Sequence, residues 1–344
     1  MGLIGWFKRV LFPVPATPQR EAPSQQRPGD APLPTRTENK PSPAALMRPV
    51  VGPLDGEENM KVVLESPEEE LLWRLSQRIE SGKLDIPMLP PTSVAALEMV
   101  NRPSVEVRQL VEAIERDPLI ASELLRMANS ALYATAAEAS SVQQAVMRVG
   151  LKTVRNVIFG AAMKSSLGNA RRLNEYAEEV WRQAQAVAIV ARTLSGSAGI
   201  DREQGYLIGL LHDLGKIALL GMLQTEMKDM GRLTPALVGR AFRTFHERAG
   251  RAMALDWKLP AEIVSVAGCH HDFAANVEHP REAALAKLAH EVDLRLSLRD
   301  DIGLRALVDS PALTQLGIAD EGARWRAVEA ARTSWEAHDT GSSH

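Results

Sequence analysis

The stretch Gly209-Leu-Leu-His-Asp-Leu-Gly-Lys216 sets an adjacent His212-Asp213 pair and Lys216 inside an apolar run that extends from Tyr206 to Leu220. The run reads as a core helix. Ionisable groups on such a helix cost several kcal/mol unless they are paired or hold a ligand. The pattern therefore predicts either a bound species or a polar cluster whose members satisfy one another.

The chain around this run keeps a helical grain. Helices are expected over 171–198, 202–221, 223–231, 234–256, 260–270, 280–298 and 320–337, separated by short loops with Gly or Pro, as neighbours in a bundle require. Earlier, Ser66 suits a helix cap, Pro67 the first helical position, and Glu68, Glu69 and Glu70 the positive helix end. Leu71, Leu72, Leu75 and Ile79 supply its apolar face and Gly82 its stop. Further helices are predicted between Ser104 and Asp117, Leu119 and Ser130, Ser140 and Gly150, and Leu151 and Leu167. Strand-like alternation is essentially absent, and no solenoid period recurs. The expected fold class is all-α: two packed multi-helix lobes, 66–170 and 171–298, then a helical extension over 299–344.

The 344 residues carry a net charge of −3, which gives no reason to expect bulk nucleic-acid binding. Cys269 is the only cysteine, so no intrachain disulfide can form and a reducing, cytoplasmic compartment is the simpler expectation. No apolar run reaches the ~18 residues of a membrane span. There is no Gly-rich phosphate loop and no GxSxG nucleophile elbow.

Residues 1–12, MGLIGWFKRVLF, place Leu3, Trp6, Phe7 and Val10 on one helical face, with Lys8 and Arg9 elsewhere. This is the pattern of a peptide that docks on a partner or a membrane surface. A leader that packs on the domain is the plainer alternative. Residues 13–65 are rich in Pro, Ser, Gln, Arg and Glu and read as a disordered tether.

Several separated pieces then point one way. They are Ile86-Pro-Met-Leu-Pro-Pro91, Asp117-Pro118, Leu124-Leu-Arg-Met-Ala-Asn-Ser130 followed by Ala131-Leu-Tyr133, and Ala145-Val-Met-Arg-Val-Gly-Leu-Lys152 with Val154-Arg-Asn156. The His212-Asp213 helix follows, then His246, Gly250, Trp257, Leu259 and Pro260, then His270-His271. In order and spacing, over roughly 83–295, they resemble the HDOD family, a bacterial signalling branch of the HD-domain superfamily. The resemblance implies a place in two-component, cyclic-dinucleotide or motility circuits, with a protein partner or a small signal as ligand.

In catalytic HD enzymes, the resemblance implies, a His on an earlier helix joins the His-Asp dyad and a later Asp around a metal that polarises phosphate and activates water. Here Gln183 stands where that His is expected. His290 stands where the Asp is expected, with Asp293 one turn further on. A neutral amide is a poor ligand for transition metals. His212, Asp213, His246 and His270 or His271 remain as candidate metal ligands. The expectation is a degenerate site with no catalytic residue and no required cofactor. It is a polar pocket of Gln183, His212, Asp213, Lys216, His246, His271 and His290, in which His212 and Asp213 satisfy each other and Lys216 reaches a carboxylate or a helix end. Two alternatives stand beside this non-catalytic scaffold. One is a divalent-metal phosphohydrolase of a nucleotide or cyclic dinucleotide, with Lys216 steadying phosphate. The other is a peripheral membrane adaptor working through residues 1–12.

Met127, Met147, Met163 and Met253 read as core filler, and Cys269 as a small core residue. His279, His338 and His344 read as surface residues. Arg171, Arg172 and Arg182 alternate with Glu175, Glu178 and Glu179 and read as surface pairs. Arg148, Lys152, Arg155 and Lys164 read as the solvated faces of helices. Trp325 and Trp335 suggest that the helix near 320–337 has something to cover.

Overall fold

The computed structural model describes residues 66–341 except 85, 103, 131, 134, 136, 169, 231 and 232. The docking face of Leu3, Trp6, Phe7 and Val10, the 13–65 tether and His344 lie outside the described residues.

Every regular element among the described residues is helical. The first group is α1 (Pro67–Glu80), α2 (Pro91–Val100), α3 (Val107–Glu115), α4 (Pro118–Ala128), α5 (Val142–Val149) and α6 (Leu151–Leu167). Local chemistry sets their starts. Ser66 Oγ accepts the Glu69 N–H at 3.2 Å, and the Asp117 carboxylate accepts the N–H groups of Leu119 and Ile120 at 3.0 and 3.2 Å. These bonds satisfy donors that a helix start otherwise leaves open.

The second group is α7 (Asn174–Ala198), α8 (Arg202–Leu211), α9 (Leu214–Met230), α10 (Pro235–Asp256), α11 (Ala261–Gly268) and α12 (Pro280–Ser297). Then come α13 (Asp301–Ala306), α14 (Pro311–Gln315) and α15 (Glu321–Gly341). The long α7 is the axis, packing against α8, α12 and α15. Its buried Ala184, Val187, Ala188, Ala191 and Leu194 make a low, small-residue face. Tyr133, after α4, crosses between the groups: its hydroxyl donates to Glu203 Oε1 of α8 at 2.9 Å, and Arg192 Nε of α7 donates to the same oxygen at 3.0 Å.

Three expectations are corrected. The predicted break near 222 lies instead at His212-Asp213, and α9 runs on to Met230. The His212 ring takes the Gly209 carbonyl at 2.8 Å, and the next backbone bond, Lys216 N–H to Asp213 O, spans only three residues. That turn aims both side chains inward. Arg202–Met227 has the length and composition of a membrane span after all, but 89% of its apolar window is buried inside the protein. Met147 is 74% exposed, because Val142, Ala145, Val146 and Val149 already supply the inward face of α5. The helix near the C-terminus does have something to cover: Ala327, Val328, Ala331 and Trp335 of α15 are buried, while Trp325 stays 41% exposed.

Candidate functional site

The site gathers where six helices meet. His212 and Asp213 occupy the turn between α8 and α9, and Lys216 the first turn of α9. Gln183 comes from α7, His246 from α10 and His290 from α12, while His270 and His271 follow α11. All of these except His271 are enclosed; Asp213 exposes 2% of its surface and His270 none. Gly215 makes the approach feasible. A Cβ there would lie 1.8 Å from the His246 carbonyl oxygen, so any larger residue would drive α9 away from α10.

Three imidazoles are oriented alike. His212 Nδ1 lies 2.8 Å from Gly209 O, His246 Nδ1 2.6 Å from Phe242 O, and His270 Nδ1 3.2 Å from Val266 O. A carbonyl only accepts, so this bonding places a proton on each Nδ1; His212 Nε2 also donates, to Asp213, whereas the uncharged His246 and His270 keep a lone pair on Nε2. The three Nε2 atoms converge on Asp213. His212 Nε2 is 3.1 Å from Oδ2; His246 Nε2 and His270 Nε2 are 3.5 and 3.6 Å from Oδ1.

Other groups complete most of the bonding. His290 Nδ1 lies 2.9 Å from His212 Nε2, and His271 Nε2 lies 3.0 Å from His246 Nε2. Lys216 Nζ donates to Asp213 Oδ2 at 2.5 Å and to Gln183 Oε1 at 3.0 Å. Two atoms are left over. Asp213 Oδ1 and His270 Nε2 are buried, face each other, and have no hydrogen-bond partner. Glu247 braces the rim, accepting the His271 backbone N–H at 2.9 Å and so hanging the His270-His271 pair on α10.

Burial alone would raise the Asp213 carboxyl. The charges of His212 and Lys216 and the hydrogen bond from His212 outweigh it and hold the group well below the usual carboxylate range. Burial pushes His246 down to about 4 and His271 to about 3, and takes His270 and His290 well below an ordinary imidazole. At neutral pH these four are uncharged and can act as ligands. Two groups of donors have the spacing for an ion: His212, Asp213, His270 and His290, and His246, His270 and His271, with ligand atoms within 4.8 Å of one another in each. His270 belongs to both. The buried, orphaned oxygen and nitrogen show that the residues present fit a cation on the Oδ1 side.

The pocket residues named from the sequence are thus brought together, and Lys216 reaches a carboxylate, that of Asp213 itself. His290, expected as a departure from a ligand position, stands within ligand distance of the dyad. Asp293 is turned away, accepting from Trp335 Nε1 at 2.7 Å and facing Arg182 Nη1 at 3.5 Å. Arg182 is therefore not simply a surface pair: it bonds Glu179 on one side and a buried acid on the other. In the sequence, only the paired tryptophans of the 320–337 helix hinted at this arrangement. Cys269 is also corrected. It lies beyond the end of α11, half-buried, with Sγ 3.2 Å from the Asp272 carbonyl. His279 and His338 are half-buried, not surface residues.

Residues 86–273 match the HDOD domain family. The chain belongs to that family. The matched span of this HDOD protein holds Gln183, the His212-Asp213 dyad, Lys216, His246 and the His270-His271 pair; His290, Asp293 and all of α15 lie beyond it. An uncharacterized protein of Treponema pallidum (strain Nichols) is 25% identical over 223 residues, which are 61% of this chain and 42% of that protein, so the chain spans about two fifths of that relative. Two solved structures share the fold. One, from Shewanella amazonensis SB2B and provisionally called a metal-dependent phosphohydrolase, is 24% identical with a TM-score of 0.59, covering 78% of this chain and 99% of its own. The other, an HDOD domain protein of unknown function from Geobacter sulfurreducens, is 22% identical with a TM-score of 0.58, covering 76% of this chain and 97% of its own.

Proposed function

We propose that this HDOD chain is a non-catalytic signalling regulator. Its histidine–aspartate pocket holds and does not turn over, its helical body meets a protein partner or a small signal, and residues 1–12 recruit it to a partner or membrane surface. The observation that carries the non-catalytic reading is Lys216. Its ammonium bridges Asp213 Oδ2 and Gln183 Oε1 in an enclosed pocket. A buried ammonium that already neutralises one carboxylate oxygen leaves only the other for a cation. Metal-assisted hydrolysis also needs an activated water and a phosphate beside it, and the dyad is shut away from both.

A divalent ion, if bound, would be held by Asp213, His246 and His270, and would supply Lewis acidity at that point. The chain's own residues act on position: Lys216 ties α9 to α7, and Glu247 ties the His270-His271 loop to α10. The orphaned Oδ1 and Nε2 favour one rival reading, a metal-dependent phosphohydrolase, and the name given to the Shewanella protein points the same way. The two separate in an assay of the purified full chain on nucleotides and cyclic dinucleotides with Mg²⁺, Mn²⁺ or Zn²⁺. The expected result is no product above the buffer control. Turnover that disappears in His212→Ala would reverse the assignment.

A further inference from the structure

We infer that residues 1–12 dock on this chain's own loop 272–278, at the outer edge of the pocket, through the face of Leu3, Trp6, Phe7 and Val10. The inference rests on the reading of those residues as a docking segment, and it names the surface they occupy when no outside partner or membrane takes them.

The loop presents apolar side chains on a fixed frame. Ala274, Ala275 and Val277 are exposed, Val277 to 88% of its surface, next to a half-buried Phe273. The buried Asn276 accepts from Ser265 Oγ at 2.8 Å and from the His279 N–H at 3.0 Å. The N–H groups of Ala275 and Asn276 close turns onto the carbonyls of Asp272 and Phe273. Glu247 pins the near end through the His271 N–H. A loop held in this way loses little conformational freedom when it is covered.

Charge and reach name the occupant. Between Lys258 and Arg281 the chain carries Glu262, Asp272 and Glu278 and no Lys or Arg, whereas residues 1–12 carry Lys8 and Arg9 and no acid. Lys287, which acts on His271 from α12, is already paired with Glu291 at 3.0 Å. Opposite signs thus frame two apolar surfaces. The tether joins the body nearby: Thr234, the cap of α10, donates to Glu68 of α1 at 3.2 Å. Glu247 lies about 20 Å further along α10. A flexible chain of about 50 residues spans about 40 Å and holds its end at a local concentration on the order of a millimolar. A contact with a Kd of about 0.1 mM is therefore mostly closed within one chain, while at micromolar protein a second copy competes poorly.

The test is amide hydrogen exchange of the full chain. The N–H groups of Ala274, Val277 and Glu278 make no hydrogen bond among the described residues, so an uncovered loop exchanges them fast. With the segment in place they should be slowed roughly tenfold, the ratio of local concentration to Kd. The double variant Trp6→Asp, Phe7→Asp should remove the slowing. Val277→Asp, at a solvent-exposed position, should free the segment and raise affinity for vesicles of equal parts phosphatidylglycerol and phosphatidylcholine by a similar factor. Exchange as fast in the native chain as in the double variant overturns the dock. Slowing that appears only as protein concentration rises also overturns it, by seating the segment of a second copy on the loop. Slowed amides on a chain that ignores vesicles would sink membrane recruitment and leave the dock standing. Vesicle binding with fast amides would do the reverse.

Discussion

Asp213 divides its two oxygens between different neighbours. Oδ2 meets an ammonium and the imidazoles of His212 and His290; Oδ1 faces the Nε2 atoms of His246 and His270. The neutral histidines around it make stability depend on pH. His246 titrates near 4 in the folded chain, against ~6.5 for a free imidazole. Between those values the unfolded chain takes up a proton that the pocket refuses. Stability is therefore full above about pH 6.5 and falls as pH drops toward 4, by up to roughly 3 kcal/mol for this one residue. The lowered Asp213 carboxyl adds a separate loss, only below about pH 4. Urea midpoints of metal-free protein should decline from about pH 7 to about pH 5, less steeply in His246→Gln. A level profile would mean that the imidazoles protonate freely in the fold. At this scale the sequence was informative about which residues meet, since His212, Asp213 and Lys216 interrupt an apolar run and cannot be buried unpartnered. It was silent on tautomers, because the carbonyls that assign them belong to Gly209, Phe242 and Val266, whose side chains carry no sign of the role.

Among the helices, α15 does more than cover apolar surface. Trp335 donates to Asp293 on α12, one turn beyond His290, and Arg182 on α7 faces the same acid beside Gln183. The helix thus fastens together the two elements that deliver Gln183 and His290. Trp335→Phe keeps the ring and removes the donor, and should cost about 1–3 kcal/mol in a denaturation experiment. In an Asp293→Asn background the same change should cost measurably less, because the two groups act as a pair. Equal costs in both backgrounds would show that the ring alone matters. Helix existence was readable from the caps at Ser66 and Asp117 and from apolar spacing. The break at residues 212 and 213 was not, because periodicity continues unchanged through it and only a side chain bonding its own backbone ends α8. Met147 was misplaced for a related reason: one methionine on a short helix does not announce which face is already full.

For the whole molecule, the Tyr133, Arg192 and Glu203 contact joins the early helices to the α7–α8 pair, so the body is expected to behave as one partner-binding surface. Recruitment is what we propose for residues 1–12. Deleting them should abolish association with vesicles or a membrane fraction while leaving partner capture by the helical body intact. Unchanged partitioning would remove that role, and loss of capture would move recognition onto the tail. Order and spacing of short pieces over 83–295 were enough to indicate the family, whose match is 86–273. Nothing in those pieces foretold that α15 would close on α7, since a contact between distant segments leaves no local pattern.

The contact of Gly215 with the His246 carbonyl has a mechanical corollary. With backbone against backbone, α9 and α10 cannot slide past each other, so the floor of the cavity is a fixed bearing. Among the described residues of the pocket, His271 is the exposed imidazole, and a single 3.0 Å contact joins it to His246. The base of the site is rigid, and its outer edge is a single histidine.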